Sequence, residues 1–345
     1  MKASSDGERA SGRRRGGSSA PGAGEMAAAA GRLRARFYRP GTRTLAVMAD
    51  SHPALDLDQD GRIVNDTPDE PAMLYLNGCQ LDGVSVARHL ERIAAAVGRI
   101  DLEGVFYGTG TLVSPTCIVT ARHVVAQVRA AAGRAVSGGP GSRDFGRLGA
   151  TIDFRPHPDG SDSPLRARIV DYVGDTPEPI EEAGTEMLDL AALEIEPVAD
   201  IAPLKPDFSL VLRDIGPTSC SAVAVIGFPQ YAEIENGLRL SSQALAAIHR
   251  VFGAGDDNRY GRKRIGVRSL QFRPFHSNPL GVHVTHTAPT MPCCSGGPLI
   301  NLSSMGYIGV HTAGKALSEN VAQVFSATLE EHPNDPFIGA IHAFA

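Results

Sequence analysis

Short apolar runs, rather than long helical stripes, dominate the chain from about Leu102 onward. Each run is rich in β-branched or apolar residues and is bounded by Gly, Pro, Ser or Asp, which is typical of strands separated by turns. Short strands that follow one another at this spacing predict a closed or nearly closed all-β architecture. The runs are VFYGTGTLVS, CIVTA, ARIVDYV, LAALEIE, AVAVIGF, GVHVTHTA, PLINL and YIGVHTAG.

One earlier segment follows the helical period instead. The stretch Ser85–Gly98 reads SVARHLERIAAAVG and places Val86, Leu90, Ile93 and Val97 on one face. Gly98 is a typical helix stop. We therefore expect a short amphipathic helix that packs on the strands after it.

Other stretches show neither period. Residues 1 to about 45 are rich in Gly, Ser, Ala and Arg and cannot bury enough surface to offset their ordering entropy, which predicts a disordered tail. Three looser segments, Arg134–Gly149, Asp175–Thr185 and Gly253–Arg264, are predicted to be long surface loops.

Composition agrees with the strand pattern. The 345 residues are 42% hydrophobic and include 38 glycines and 24 prolines, which suits short strands joined by many turns. The formal net charge is −5, so no global basic field is present to recruit nucleic acid. We expect peptides or proteins as partners, and no nucleic acid.

Cysteine usage and the N-terminal residues predict a soluble, cytoplasmic protein. No apolar run of signal-peptide or membrane-spanning length occurs, so neither secretion by that route nor membrane association is expected. No CxxC or Cys/His spacing suggests a zinc site, and no metal or other cofactor is expected. An odd, scattered set of thiols fits a reducing compartment: Cys79, Cys117, Cys220, Cys293 and Cys294.

Three polar residues stand in contexts suited to nucleophilic catalysis. Ser295 lies in CCSGGPLI, where glycines allow a tight turn whose backbone N–H groups point at a bound carbonyl. His123 follows the apolar run CIVTA, and Asp189 opens an alternating strand. Acyl transfer needs a hydroxyl, an imidazole base and a carboxylate that holds the imidazole. Each context also has an ordinary alternative: a turn serine, a structural histidine and a capping aspartate.

Together these contexts resemble the trypsin-like serine peptidases, which have the chymotrypsin fold. The marks of that family are TAAH around the histidine, D-[IL]-A-L at the aspartate and G-D-S-G-G-P at the serine. The chain has TARH at Thr120–His123, DLAAL at Asp189–Leu193 and CCSGGP at Cys293–Pro298. GTGTLVS and VAVIGFP are supporting matches, the second being similar to a stretch of bacterial members. The resemblance covers roughly residues 100 to 328.

The resemblance implies two six-stranded antiparallel β-barrels. With the helix and tail above, it predicts the following division: a disordered tail and linker at 1–65, an extension with the amphipathic helix at 66–100, a first barrel at 101–218, a second barrel at 219–328 and a C-terminal tail at 329–345. The histidine and aspartate would belong to the first barrel, and the serine and the specificity pocket to the second.

The resemblance also implies a serine endopeptidase that works through an acyl-enzyme. His123 would accept the proton of Ser295 and pass it to the leaving amine, while Asp189 holds the imidazole. The backbone N–H groups of Ser295 and Cys293 would form the oxyanion hole.

Two positions depart from the family pattern. Glycine usually stands two residues before the serine, because its N–H must turn toward the substrate in a conformation that side chains disfavour; here it is Cys293. Aspartate usually precedes the serine and pairs with a newly cleaved N-terminus; here it is Cys294, so that switch is absent. An activating protein partner is one way to complete the oxyanion hole. Cys294 is also an alternative nucleophile, although Ser-Gly rather than Gly-Gly follows it.

Two further residues suggest a substrate preference. Thr290 and His311 resemble the pair that receives acidic side chains in glutamate-specific bacterial members, and a similar histidine serves glutamine-specific viral relatives. A hydroxyl and an imidazole can hydrogen-bond a carboxylate or a primary amide. We expect them to line the primary pocket and to favour Glu or Gln before the cleaved bond. The alternative for His311 is a hydrogen bond within the core.

A second function of a different class is a catalytically silent or conditionally activated module that binds peptides and keeps the same fold. Cys293 and Cys294 favour it. The presence of His123, Asp189 and Ser295 together argues against it, since a pure binding module has no chemical need of all three.

Overall fold

The computed structural model describes residues 54–58, 60–64, 76–135, 149–155, 163, 165–173, 188–210, 222–230, 242–253, 261–271, 280–314 and 320–345. The predicted disordered tail, residues 1 to about 45, lies outside the described residues, as do most residues of the three predicted loops and Cys220.

Six antiparallel strands form the first barrel. They are β5 (Val97–Leu102), β6 (Val105–Ser114), β7 (Cys117–Thr120), β8 (Ala150–Asp153), β9 (Arg166–Tyr172) and β10 (Ala191–Ile195). The sheet closes in the order β10-β7-β6-β5-β8-β9. Branched apolar side chains fill its interior and are almost fully buried, as expected for the inward positions of a small barrel: Ile100, Leu112, Ile118, Ile152 and Leu193.

Six more antiparallel strands form the second barrel. They are β11 (Ala222–Gly227), β12 (Arg264–Gln271), β13 (His283–His286), β14 (Pro298–Asn301), β15 (Gly306–Gly314) and β16 (Asn320–Val324). Their order is β11-β14-β15-β16-β13-β12, and β12 pairs back onto β11, so the ring is complete. The prediction of an all-β fold with two six-stranded barrels is confirmed.

A short hairpin extends the second barrel. Strands β1 (Leu55–Leu57) and β2 (Ile63–Val64) pair with each other, and β1 also pairs with β12, where Leu55 lies opposite Ile265. The hairpin lies in the linker part of the predicted tail and linker at 1–65, after the tail that ends at about residue 45. Burial of Leu55 and Leu57 on the barrel offsets the cost of ordering, and a run of three residues is too short to show that partner in the sequence.

The predicted amphipathic helix is present but shorter. A two-stranded hairpin, β3 (Gln80–Leu81) and β4 (Val84–Ser85), leads into α1 (Val86–Ala95), and the side chain of Ser85 caps the helix by accepting from the Arg88 N–H. The buried face includes Val86, Leu90 and Ile93, as the spacing predicts.

Gly98 does not stop this helix. It belongs to β5, where an added Cβ would lie 2.5 Å from Ile152 Cγ1, so the glycine serves close packing inside the barrel. Because β5 begins at Val97, the first barrel starts four residues before the predicted boundary at 101.

Further helices of the described residues cover the barrels. They are α2 (Arg122–Ala135), α3 (Ser242–Phe252), α4 (Phe325–Glu331) and α5 (Pro336–His342). The predicted C-terminal tail therefore contains two helices, and α4 begins before the predicted boundary at 328. Phe337, Ile338 and Ile341 of α5 are buried in the same core cluster as the first barrel. No helix among the described residues is both long and apolar enough to cross a membrane.

Candidate active site

His123 and Asp189 meet at one end of the first barrel. Strands β7 and β10 are neighbours, with Thr120 opposite Ala191. His123 follows β7 in the first turn of α2, and Asp189 precedes β10, so the pairing of the strands brings both side chains to the same edge. The Asp189 Oδ2 lies 2.7 Å from His123 Nδ1, and the Asp189 Oδ1 accepts the His123 backbone N–H at 2.9 Å.

This geometry determines which nitrogen of the imidazole carries the proton. His123 is 3% exposed and Asp189 is 1% exposed, so their hydrogen bond lies away from water. A proton on Nδ1 is needed to donate to the carboxylate, and in the neutral ring the lone pair then lies on Nε2. The opposite edge of the imidazole is therefore a proton acceptor.

The backbone of Asp189 is fixed on both sides as well. Its carbonyl oxygen accepts the Arg122 N–H at 3.3 Å, and its N–H donates to the Gln323 Oε1 at 2.6 Å. The first bond comes from the start of α2 and the second from β16 of the second barrel. The backbone of Asp189 is thus anchored to both barrels.

The turn that carries Ser295 is attached to β6 of the first barrel. The Thr109 N–H donates to the Ser295 carbonyl oxygen at 2.9 Å, and the Thr109 hydroxyl donates to the Cys293 carbonyl oxygen at 2.9 Å. Within the second barrel, the Gly296 N–H donates to the His311 carbonyl oxygen at 2.9 Å. The serine turn is therefore held from both sides.

Two glycines allow this close approach. Gly296 has a φ of +89°, and an added Cβ would overlap the Thr109 carbonyl oxygen and the Thr120 hydroxyl at the end of β7. A Cβ at Gly108 of β6 would lie 2.6 Å from Val124 Cγ1 and 3.2 Å from the Ser295 carbonyl oxygen. The backbone of Ser295 and the helix that carries His123 therefore meet across the bare Cα of Gly108.

The side chain of Ser295 is turned toward the second barrel. It is 3% exposed, and its hydroxyl donates to the Thr312 carbonyl oxygen at 3.3 Å. Among the hydrogen bonds of the described residues, none joins Ser295 to His123. The structure thus joins His123 to Asp189 directly and brings in Ser295 through the backbone of its turn.

A family model described as a trypsin-like peptidase domain matches residues 108–310, which is more than half of the 345 residues. The chain belongs to the trypsin-like peptidase family. Its class is therefore that of the serine peptidases, and its two closed barrels have the architecture that the resemblance implies.

Two solved structures are similar to this peptidase. One is a Glu endopeptidase in complex with MPD, with 14% identity, a TM-score of 0.45, and coverage of 73% of this chain and 93% of that one. The other is the inactive form of a mutant of Rv3671c from M. tuberculosis H37Rv, with 18% identity, a TM-score of 0.38, and coverage of 73% of this chain and 90% of that one. The comparison with curated proteins finds no match.

Cys293 of this peptidase adopts the backbone conformation that glycine favours. Its φ is +71°, in the left-handed region, which costs a residue with a side chain about 1–2 kcal/mol. Two contacts fix it: the bond from Thr109 to its carbonyl oxygen, and the bond from its Sγ to the Gln230 Oε1 at 3.0 Å. A cysteine thus occupies the position without forcing another backbone conformation there.

The backbone N–H of Ser295 follows two residues later in the same turn. Within the described part of the chain, the Ser295 N–H donates no hydrogen bond. It lies in the turn before β14, and the hydrogen bonds described above hold the backbone around it. A backbone donor held in this way can bind a developing oxyanion with little reorganisation.

Cys294 lies in an environment that keeps its thiol protonated. Burial raises the pKa of Cys294 to about 12. The side chain packs in an apolar cluster with Ala54, Val251, Phe252 and Met291. Because the thiolate is the nucleophile, this environment argues against the alternative in which Cys294 attacks the substrate.

Thr290 and His311 are both fully buried in the second barrel but have different partners. The Thr290 hydroxyl donates to the Asn320 Oδ1 at 2.7 Å, and the Asn320 amide donates to the Ala288 carbonyl oxygen at 2.6 Å. The His311 Nδ1 lies 3.3 Å from the His286 Nε2. The structure therefore does not join the two predicted pocket residues by a hydrogen bond.

Burial controls the charge of the paired imidazoles. It lowers the pKa of His311 to about 3, with the nearby His123 adding to the effect, and it lowers the pKa of His286 well below the usual value. Both rings are neutral at neutral pH. A neutral imidazole can still offer one donor and one acceptor.

Sequence reasoning missed two polar residues near this site: Asn320 and Gln323. Both are fully buried, although they lie in a strand that reads as mixed polar and apolar. The available signal is the polar residue at an inward position of a β-branched run, as in NVAQV. Among the described residues, no group of three or more His, Cys, Asp or Glu side chains could hold a metal ion.

Proposed function

We propose that this chain is a serine endopeptidase in which His123, Asp189 and Ser295 form a catalytic triad. The observation that carries the proposal is the buried bond of 2.7 Å between His123 and Asp189, at the end of the barrel onto which the serine turn is fastened by Thr109. This arrangement leaves the His123 Nε2 as the proton acceptor on the side of the serine.

The reaction begins with a rotation of the serine side chain. The Ser295 hydroxyl leaves the Thr312 carbonyl oxygen and donates to the His123 Nε2. Its oxygen attacks the scissile carbonyl while His123 takes the proton, and the imidazolium that forms is stabilised by Asp189. His123 then gives the proton to the leaving amine. Water hydrolyses the acyl-enzyme in the same way, with His123 again acting as base.

The oxyanion hole in this proposal consists of the backbone N–H groups of Ser295 and Cys293. Each donor of this kind contributes about 3 kcal/mol to the transition state. The φ of +71° at Cys293 supports its part, because it is the left-handed conformation that glycine adopts most readily.

The substrates that we propose are peptides or proteins with Glu or Gln before the cleaved bond. Thr290 and His311 line the pocket in this proposal, and the neutral His311 can donate to a carboxylate or an amide oxygen. A panel of peptides that differ only at this residue tests the preference. We expect Glu and Gln substrates to exceed Leu and Lys substrates in kcat/KM by about tenfold or more, the worth of one hydrogen bond to a charged or polar group. Equal rates for all four would refute it.

A fluorophosphonate probe tests the catalytic proposal itself. We expect stoichiometric labelling of the full chain at Ser295, located by peptide mass spectrometry, and none in Ser295→Ala. Ser303→Ala, which removes a serine that bonds to Asn301 in an exposed turn, is the matched control and should label like the wild type. His123→Ala should slow labelling by several orders of magnitude, because the base is lost.

One observation favours the second function, a silent or conditionally activated peptide-binding module. It is the bond from the Ser295 hydroxyl to the Thr312 carbonyl oxygen, which is not the reactive orientation. This module would bind peptides without turnover until a protein partner rotates the serine. An unlabelled wild type that still binds peptides in a calorimetric titration would establish it in place of the peptidase.

A further inference from the structure

Gln323 connects the second barrel to the aspartate of the proposed triad. It lies on β16 with none of its surface exposed, and its Oε1 accepts the Asp189 N–H at 2.6 Å. Its Nε2 donates to the Thr328 hydroxyl at 3.1 Å. That hydroxyl in turn donates to the Val324 carbonyl oxygen at 2.6 Å.

The order of these bonds fixes the orientation of the amide. The Thr328 hydroxyl has one proton, and the Val324 carbonyl oxygen takes it, so toward Gln323 this hydroxyl can act only as an acceptor. The nitrogen of Gln323 must therefore face Thr328 and its oxygen must face Asp189. A short chain of hydrogen bonds from α4 thus presents an acceptor to the backbone of the aspartate.

The other hydrogen bonds of Asp189, within the described part of the chain, come from the first barrel and its helix. His123 donates twice to the carboxylate, and the Arg122 N–H donates to the carbonyl oxygen. Gln323 therefore supplies the direct link from Asp189 to the barrel that carries the serine.

The link continues to the serine through the sheet. Gln323 on β16 lies opposite Val310 on β15. Two residues further along β15 is Thr312, whose carbonyl oxygen accepts the Ser295 hydroxyl. The contact of the aspartate and the contact of the serine thus lie on two paired strands, β16 and β15, with a register irregularity at Thr312.

We propose that Gln323 is a positioning residue that holds Asp189, and through it the His123 ring, in register with the barrel that carries Ser295. This role rests on the triad of the proposed function. It explains a fully buried amide near the end of a barrel strand, where an apolar side chain would leave the Asp189 N–H unsatisfied.

The hydrogen bond between His123 and Asp189 can be detected directly in the full chain, which tests this proposal. Proton NMR at low temperature should show a strongly deshielded resonance from the His123 Nδ1 proton in the wild type. Gln323→Met keeps the length of the side chain but removes the acceptor, and we expect the resonance to broaden beyond detection or to move upfield. Turnover of the best peptide should show kcat lowered about tenfold to a hundredfold, as for a small misplacement of a catalytic group, with KM changed less than about twofold.

Two further variants make the result decisive. Val324→Ala removes apolar contacts from the same strand and should keep the resonance and kcat, which separates positioning from general loss of packing. Gln323→Asn keeps the amide but shortens its reach, so we expect it to weaken the resonance and to lower kcat as Gln323→Met does. If Gln323→Met does not fold, Gln323→Asn is used in its place.

The proposal is overturned if the Gln323 variants keep both the resonance and kcat, or if Val324→Ala loses them equally. A wild type without turnover or probe labelling, but with a resonance that depends on Gln323, would refute the proposed function and leave the positioning role standing.

Discussion

Three buried histidines predict that the fold is sensitive to mild acid. His283 and His286 lie on β13, and His311 lies on the second barrel's β15. Burial lowers the pKa of His283 to about 4, that of His311 to about 3, and that of His286 well below its usual value. All three are therefore neutral in the folded protein at pH 5.5 and above.

The magnitude follows from proton linkage. A histidine of the unfolded chain titrates near 6.5, so the unfolded state binds more protons than the folded state below that pH. The stability from each neutral histidine is fully present well above pH 6.5 and is lost as the pH falls toward the folded pKa. Between pH 7.5 and 5.5 this loss is about 1.4 kcal/mol for each, and about 4 kcal/mol for the three. Lys263, whose pKa burial lowers to about 7, adds a smaller loss of the same sign.

Urea unfolding at pH 7.5, 6.5 and 5.5 measures the effect. We expect the free energy of unfolding to fall by about 4 kcal/mol over this range, a large part of the 5–15 kcal/mol usual for a domain. His286→Leu removes one titrating ring. We expect it to reduce the decrease in the free energy of unfolding between pH 7.5 and 5.5 by about 1.4 kcal/mol, independently of its effect on stability at pH 7.5. His342→Gln replaces an exposed histidine and is the matched control. Equal stability at pH 7.5 and 5.5, or an unchanged fall in His286→Leu, would refute the reasoning.

Two substitutions test the backbone of the serine turn. Gly296→Ala combines a φ of +89° with overlap on the Thr109 carbonyl oxygen and should cost more than about 3 kcal/mol, whereas Gly104→Ala, with a φ of +77° and open space, should cost about 1–2 kcal/mol. Similar losses in urea unfolding would contradict the tight contact. Cys293→Gly should be about 1 kcal/mol more stable than Cys293→Ala, because only glycine relieves the left-handed φ; the opposite order in urea would contradict that φ.

The alternation of apolar and polar residues predicts the fold class well because both barrels bury β-branched runs. It locates β6, β7, β10, β11 and β15. It fails where a strand is short or carries buried polar residues. Strand β16, which carries Asn320 and Gln323 with hydrogen-bond partners inside the protein, is not among the predicted runs.

The candidate site was predictable as three local motifs but not as a geometry. The contexts of His123, Asp189 and Ser295 are each local, so they can be found from sequence. The bonds that assemble them are not: the Thr109 hydroxyl reaches the Cys293 carbonyl oxygen across 184 positions of the chain. Such contacts form only when the two folded barrels pack against each other, so no local hydrophobic periodicity predicts them.

The two proposed functions, an active peptidase and a silent module, share one fold and differ in the orientation of the Ser295 side chain about its Cα–Cβ bond. The backbone of the serine turn is held by Thr109 and by the His311 carbonyl oxygen, and the His123 ring is held by Asp189, so the parts that are slow to rearrange are already assembled. The Ser295 hydroxyl bonds to the Thr312 carbonyl oxygen, whereas the proposed reaction needs it to bond to His123. Staggered rotamers about one Cα–Cβ bond interconvert rapidly compared with backbone rearrangements. A bound substrate that occupies the Thr312 carbonyl oxygen removes the competing acceptor and thereby favours the bond to His123. In the proposed mechanism, activation begins with the loss of the hydrogen bond between the Ser295 hydroxyl and the Thr312 carbonyl oxygen.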